Sequence, residues 1–365
     1  MSIERRVNLS FSNLLTFVAT GLILVLLWQL RSLIVVLMIS VVLAATLAPF
    51  VKGAERLKIP RWLAVILVYL GLISILTGVV LLIGPTVVEQ IQRLFRRLPT
   101  YLDVLEALAE NIAVRFGMTE PEAIEQINQL FDTQAVTRWT FQASQQLLVR
   151  SYGVTRGIVG GVVSLVFSLV LSGYMLSGAE RLISGFFSLF PKPWDDRLAS
   201  QVVPVSQRMG GYIQGRVLVS AILGLAISVS LKFLGISEFA LGLGVIAGFT
   251  NLIPFFGPVL GAIPALIVAI AQGGWTFLWV LLLFVIIQNV ETYLLDPLLV
   301  GNTVRVHPLY QLLAVIGGAQ VLGIIGALIV PPWVAGASAV LDNLYLKPKL
   351  LAEKSANSEQ LSVSS

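Results

Sequence analysis

The sequence has 365 residues, of which 57% are hydrophobic and only 12% charged, and its formal net charge is +5. A soluble domain carries about 25% charged residues, so this chain lacks the polar surface to cover soluble domains, and its composition points to an integral membrane protein. With no cysteine and a single histidine, disulfides, thiolate chemistry, cysteine zinc sites and multi-histidine metal sites are all excluded.

A membrane-crossing helix needs about 20 mainly apolar residues. Eight candidate runs occur, at 11–30, 33–48, 62–83, 157–176, 217–234, 239–271, 275–295 and 309–335. The expected fold is therefore all-α: a polytopic membrane protein of about eight transmembrane helices, with an amphipathic helical insert between the third and fourth. Residues 1–10 form a cytoplasmic N-terminal segment and 11–84 carry the first three helices. Arg5 and Arg6 precede the first run as in a secretory signal, but a second run follows after only Gln29–Ser32. A retained two-helix hairpin is the better reading.

The insert, 85–153, mixes charge with apolar residues at helical spacing, as in Val88, Ile91, Phe95 and Leu98. Thr86 with Glu89, Thr100 with Asp103 and Thr119 with Glu122 resemble capping boxes, so several short amphipathic helices are expected. They suit a cap on the membrane domain or on neighbouring subunits more than a substrate-capturing lid. Residues 154–346 carry helices four to eight, with an interfacial segment at 178–216. There Phe186, Phe187, Phe190 and Trp194 alternate with lysine, arginine and proline, as amphipathic side chains do at a membrane surface.

As one helix, the 239–271 run would measure about 50 Å, too long for a straight span. It is interrupted by Pro254, Gly257, Pro258, Gly261 and Pro264. Proline removes a backbone donor, and broken backbone at membrane depth is tolerated only where protein buries it or water reaches it. The interruption reads as a hinge or a static kink, in either one broken span or a re-entrant hairpin. In the next run Gln288, Asn289 and Glu291 form the most polar cluster of any run. A carboxylate in hydrocarbon costs about 3 kcal/mol or more, so Glu291 is a candidate proton or cation site, with Gln288, Asn289 and Asn251 beside the same pathway. The competing reading places Glu291 a turn from Asp296 at the helix end, reaching headgroup water. His307, before Pro308, reads as a turn residue rather than a proton relay. Glycines at spacing four (Gly153, Gly157 and Gly161; Gly244 and Gly248; Gly257 and Gly261) allow close helix approach and suit a homo-oligomer. Residues 347–365 form a cytoplasmic tail whose serine-rich end has a disordered composition.

With the N-terminus placed in the cytoplasm, fourteen lysines and arginines fall on that side and three (Arg31, Lys232, Arg305) on the other, the long insert aside. Both termini are then cytoplasmic, and the count favours the broken span over the hairpin. The basic balance reports orientation in the bilayer and implies no nucleic-acid partner. No run contains a histidine or an aspartate, so intramembrane serine or aspartyl proteolysis lacks its reagents, and no catalytic residue, metal site or cofactor is implied. No nucleotide-binding glycine loop is present, and the two halves show no self-similarity.

The stretch Asn251-Leu252-Ile253-Pro254-Phe255-Phe256-Gly257-Pro258, continuing through Gly261 to Pro264, resembles the proline–glycine signature of the autoinducer-2 exporter family of bacterial permeases. Gln288, Glu291, Pro297, Gly301 and His307-Pro308 match it further, as do Gly317-Gly318, Gly323-Ile324-Ile325-Gly326, Pro331 and, upstream, Tyr212-Ile213-Gln214-Gly215. The resemblance covers roughly residues 10–345. It departs at Arg216, where a neutral polar residue is more usual, and Arg305 is likewise particular to this sequence. It implies a multi-pass protein of the bacterial inner membrane, exporting autoinducer-2 or exchanging sodium or lithium for protons. The expected partners are the lipid bilayer and a small-molecule or monovalent-cation substrate. A gradient-blind oligomeric channel and a non-transporting scaffold built on the 85–150 helices are the alternatives.

Overall fold

In the computed structural model, which describes residues 11–115, 151–301 and 306–354, every element is helical and no strand occurs among the described residues. Hydrocarbon offers no partner to a peptide group, so a spanning chain must satisfy its backbone internally. Five described helices are long and apolar enough to cross a membrane, or six if the bent pair Val163–Ser177 and Ala179–Phe187 is one span. Among the described residues fewer than the expected eight crossings occur, and the local reasons are visible along the chain.

Helices α1 (Phe11–Gln29) and α2 (Arg31–Arg56) do not form the expected hairpin. They are broken at Leu30, whose N–H donates to Leu26 O at 2.9 Å and whose carbonyl accepts from the Ile34 N–H at 3.0 Å, and the two helices do not pack along one another. Gln29-Leu30-Arg31-Ser32 offers no glycine, proline, asparagine or aspartate with which to turn. Helix α3 (Arg61–Arg115) is continuous: 55 residues, about 80 Å long. It runs through Thr86 and Thr100, so the short helices expected there are not separate. An N-cap needs non-helical backbone, and here the ladder continues instead. The third expected start, Thr119 with Glu122, lies outside the described residues, as do the rest of the insert to residue 150 and Arg305.

Helix α4 (Ser151–Ser177) ends at Gly178, where the axis turns by 84° into α5 (Ala179–Phe187). α5, the following turn and α6 (Trp194–Ala199) expose Leu182, Phe186, Leu189 and Trp194 along the 178–216 segment. Helix α7 (Val202–Phe233) is the central strut: its buried residues recur along the whole length, and it packs against α2, Ala240–Thr250, 274–301 and Pro308–Leu341. Small residues permit this. A Cβ at Gly224 would meet the Gly244 carbonyl oxygen at 2.9 Å, so the backbones of α7 and the next helix are in contact.

The 239–271 run is a hairpin, contrary to the broken span that the charge count favoured. α8 (Ala240–Thr250) stops at a turn over 251–255, and α9 (Phe256–Gln272) returns beside it. A Cβ at Gly261 would lie 2.7 Å from the Ala247 Cα, although fourteen residues along one helix would separate them by about 21 Å. α10 (Gly274–Val290) follows after Gly273 and continues as a wider, π-helical stretch, Glu291–Gly301.

α11 (Pro308–Leu341) also folds back on itself. Gly323 takes φ +64° and ψ −149°, a conformation open to glycine, and the Gly318 and Gly326 backbones meet across the turn. The 309–335 run is therefore a second hairpin, although its length and composition alone would suit one crossing. The main core joins α7 to the first hairpin and α10 through Leu231, Ile236, Phe239, Leu243, Val268 and Val280.

A methyl group at Gly326 has no room against Gly318, whereas one at Gly53 meets nothing within 4 Å. Gly326→Ala is expected to cost about 1–3 kcal/mol by overpacking, and Gly53→Ala to be neutral or stabilising. Thermal unfolding of the two purified variants, followed by circular dichroism, checks the difference.

Candidate functional site

Arg216 lies in the middle of α7, one turn after Tyr212 and one turn before Ser220, with a side chain only 5% exposed. A guanidinium cannot lose its charge, so burial at this level requires a partner. Glu291 supplies it. Nη1 of Arg216 donates to Glu291 Oε1 at 2.9 Å and to Asp296 Oδ1 at 3.3 Å. Glu291 begins the π-helical stretch and is itself 2% exposed; Asp296 lies at the partly exposed rim. Glu291 therefore does not reach out to solvent, as the competing reading required.

The first hairpin adds the third contact. Asn251 caps the end of α8 at the hairpin tip, and its Nδ2 donates to the same Glu291 Oε1 at 3.1 Å. One carboxylate oxygen thus ties α7 to both the hairpin and the end of α10. Among the described residues, three buried atoms around it find no partner: Arg216 Nε, Ser220 Oγ and Asn251 Oδ1. With one guanidinium and two carboxylates, the cluster carries a formal charge of −1. Tyr212 extends it toward the second hairpin, its hydroxyl accepting from Gln311 Nε2 at 3.2 Å.

Of the residues singled out in the sequence, Glu291 and Asn251 meet directly. Gln288 and Asn289 do not join them by hydrogen bonds: Gln288 donates to Thr292 Oγ1 at 3.2 Å and Asn289 to Val285 O at 2.7 Å, both along their own helix. All four line one crevice of about 350 Å³ between α7, α9 and α10. Pro254 lies in the hairpin turn, Gly257 and Pro258 open α9, Gly261 packs on α8, and Pro264 sits inside α9. His307 caps α11, its Nδ1 accepting from the Leu309 N–H at 3.2 Å, which is a turn-residue role. Among the described residues, no group of three or more histidines and acids could hold a metal ion.

Arg216 and Asp296 were not among the expected site residues. The apolar run before the hairpin reads as beginning at residue 217, which puts Arg216 at the end of the interfacial segment 178–216. A signal was present: Met209–Gly215 is uncharged, so the run could have been extended back through an arginine that departs from the family pattern.

The model of the AI-2E family transporter matches residues 15–346, nearly the whole chain. The chain belongs to the AI-2E transporter family. Two relatives from Bacillus subtilis (strain 168), both named as candidate transport proteins, are similar across most of their length. YueF is 28% identical over 305 residues, covering 83% of this chain and 81% of YueF. YrrI is 26% identical over 319 residues, covering 87% and 86%. This AI-2E family chain is thus a multi-pass membrane protein of a transport family, not of an enzyme family, and the resemblance carried by the proline–glycine signature holds.

Removing one member of a buried ion pair strands the other, at a cost of about 3–5 kcal/mol, while replacing both by apolar residues is often neutral. Arg216→Leu is expected to destabilise the protein by that amount, and Arg216→Leu with Glu291→Leu to recover most of it. A double-mutant cycle on unfolding temperatures in detergent measures the coupling; additive losses would mean that the pair is not energetically linked.

Proposed function

We propose that this protein is a permease that exports a small solute or cation across the bacterial inner membrane, coupled to an ion gradient through Glu291. The observation that carries the reading is the shared carboxylate oxygen, which accepts from Arg216 of α7 and from Asn251 at the hairpin tip. An ionisable residue buried in a membrane domain marks an ion or substrate pathway by default. A proton or monovalent cation arriving at Glu291 competes with Arg216 for the same negative charge, and the surplus carboxylate favours its arrival. Its binding weakens the contact that holds the tip against α7.

The magnitudes suit a switch. Moving a two-state equilibrium from 1:99 to 99:1 takes about 5.5 kcal/mol, the order of the roughly 3–5 kcal/mol at stake in unpairing a buried charge. The hairpin turn, shaped by Pro254, Gly257, Pro258, Gly261 and Pro264, is then the moving part, and its displacement opens the path beside α10. Without a nucleotide-binding loop in the sequence, an ion gradient or the solute's own gradient supplies the energy.

Reconstitution in proteoliposomes tests this. Luminal pH is followed with a trapped dye during sodium or lithium pulses, and autoinducer-2 flux is followed under an imposed pH gradient. Glu291→Gln is expected to abolish gradient-dependent movement of whichever substrate the wild type carries. Unchanged flux with unchanged pH dependence in Glu291→Gln would remove its role. Wild-type flux that ignores both gradients would mark a passive channel.

A further inference from the structure

One nitrogen serves two acids. Nη1 of Arg216 lies 2.9 Å from Glu291 Oε1 and 3.3 Å from Asp296 Oδ1. The two acids are unequal: the Glu291 side chain is 3% exposed, whereas that of Asp296 is 41% exposed. Backbone form brings them together. In an α-helix, residues five apart point about 140° away from one another, a poor arrangement for sharing one guanidinium. The stretch Glu291–Gly301 is π-helical, and its i→i+5 repeat sets residue 296 one turn after residue 291 on the same face.

A guanidinium keeps its charge, so a proton or cation that neutralises Glu291 leaves a buried cation in need of another acid. Asp296 is already in place. Closing its 3.3 Å contact to the length of a charge-assisted bond, about 2.7–2.9 Å, takes a movement of about half an ångström. We infer that Asp296 is a positioning residue for the ion site: when Glu291 is neutralised, Arg216 exchanges its buried partner for the rim acid, and the hairpin tip is released without stranding the guanidinium. Among the described residues, the ionisable groups that act on this cluster are Arg216 and Tyr212 of α7 and the two acids themselves. The other elements packed here present neutral groups. The first hairpin offers Asn251, α11 offers Gln311, and α2 offers the Thr46 carbonyl, which accepts from Gln214. No second cation competes for Asp296 within this set, and no third acid competes for Arg216.

The inference rests on reading Glu291 as the ion site, so its test follows protonation rather than flux. In proteoliposomes, infrared difference spectra against Glu291→Gln isolate the protonated Glu291 carboxyl band, followed between about pH 4 and about pH 10. Without Asp296, protonating Glu291 strands Arg216. Asp296→Asn is therefore expected to require at least about ten times more protons, a fall of about one pH unit or more in the half-protonation point. Asp296→Glu, which keeps the acid, should stay near the wild type. Simple repulsion between the two acids also predicts a fall, and Arg216→Gln separates the causes. Exchange needs the guanidinium, so the effect of Asp296→Asn should shrink at least about threefold in that background, whereas repulsion would leave it unchanged or larger. If Arg216→Gln does not fold, salt replaces it: a shift set by a buried contact persists from about 0.01 M to about 1 M salt, and repulsion across the exposed rim is screened. Asp296→Ser serves if Asp296→Asn does not fold.

No fall in Asp296→Asn, an undiminished fall in the Arg216→Gln background, or loss of the fall in high salt would overturn the inference. So would a Glu291 carboxyl that takes no proton across that pH range. The expected shifts together with unimpaired flux in Glu291→Gln keep the partner exchange and remove its place on the pathway. Loss of flux in Glu291→Gln without those shifts keeps the pathway and overturns the exchange.

Discussion

The arrangement of the membrane domain turns on one buried oxygen, Oε1 of Glu291, and on the cations and amides that must satisfy it. A charge removed from water has to be paired, and pairing a guanidinium with a carboxylate fixes the separation of the helices that carry them. Arg216 can reach Glu291 only because its neighbour, Gly215, has no side chain: a Cβ there would strike the backbone of Leu299. That close approach seats the π-helical stretch on α7 and brings Asp296 within 3.3 Å of the same guanidinium. Asn251 completes the cluster from the opposite side, so the hairpin tip is positioned by polar contact while its arms are positioned by packing.

The two ends of that first hairpin are held by different physics. At the base, the Phe239 side chain cannot cap α8, and Gln90 of α3 accepts the Gly242 N–H at 2.7 Å in its place. Glu238 pairs with Arg97 at 2.7 Å and Arg93 at 3.7 Å, and Arg93 also pairs with Glu89. These pairs are exposed and contribute little; the base is fixed chiefly by Leu94 of α3, buried with Ile236 and Phe239. At the tip, Phe255 takes φ +66°, unfavourable for a residue with a bulky side chain, and Asn251 Oδ1 goes unmet. A segment with strain and an unsatisfied acceptor, attached to a well-packed base, belongs to the low-stability end of a fold.

Which parts of this were legible in the sequence follows from what each signal measures. Glu291 and Asn251 stood out because a polar group inside an apolar run is costly whatever surrounds it. Helical character was legible for the same reason: composition sets the solvent, and the solvent leaves the backbone few options. Pairing was not legible. Pro254 and the glycines marked an interruption in 239–271, but nothing local says whether the second half continues away from the first or returns along it. Gly261 against Ala247, and Gly318 against Gly326, are choices made by tertiary packing. The opposite error occurred in α3, where Thr86 and Thr100 have the right spacing for helix starts, yet a cap residue inside a continuing ladder is simply a helical threonine. Arg216 was hidden by its position, one residue before the 217–234 run, while its partner Glu291 lies in the 275–295 run.

The hairpins also bear on the distribution of basic residues. A crossing changes the side on which the chain emerges, and a hairpin that enters and leaves on one side does not. Two expected crossings, 239–271 and 309–335, are both replaced by hairpins, so the change is even. The side of Lys347, Lys349 and Lys354 relative to Arg181, Lys192 and Arg197 is therefore the same under either arrangement. Counting charges could not have told the two apart, because only Arg305 changes side between them, and it joins the basic majority. Arg216, moreover, leaves the count, since it is buried against Glu291 rather than facing headgroups. The strong basic bias of this chain therefore rests on Lys52–Arg61, Arg181–Arg197 and Lys347–Lys354, whose relative sides both arrangements share.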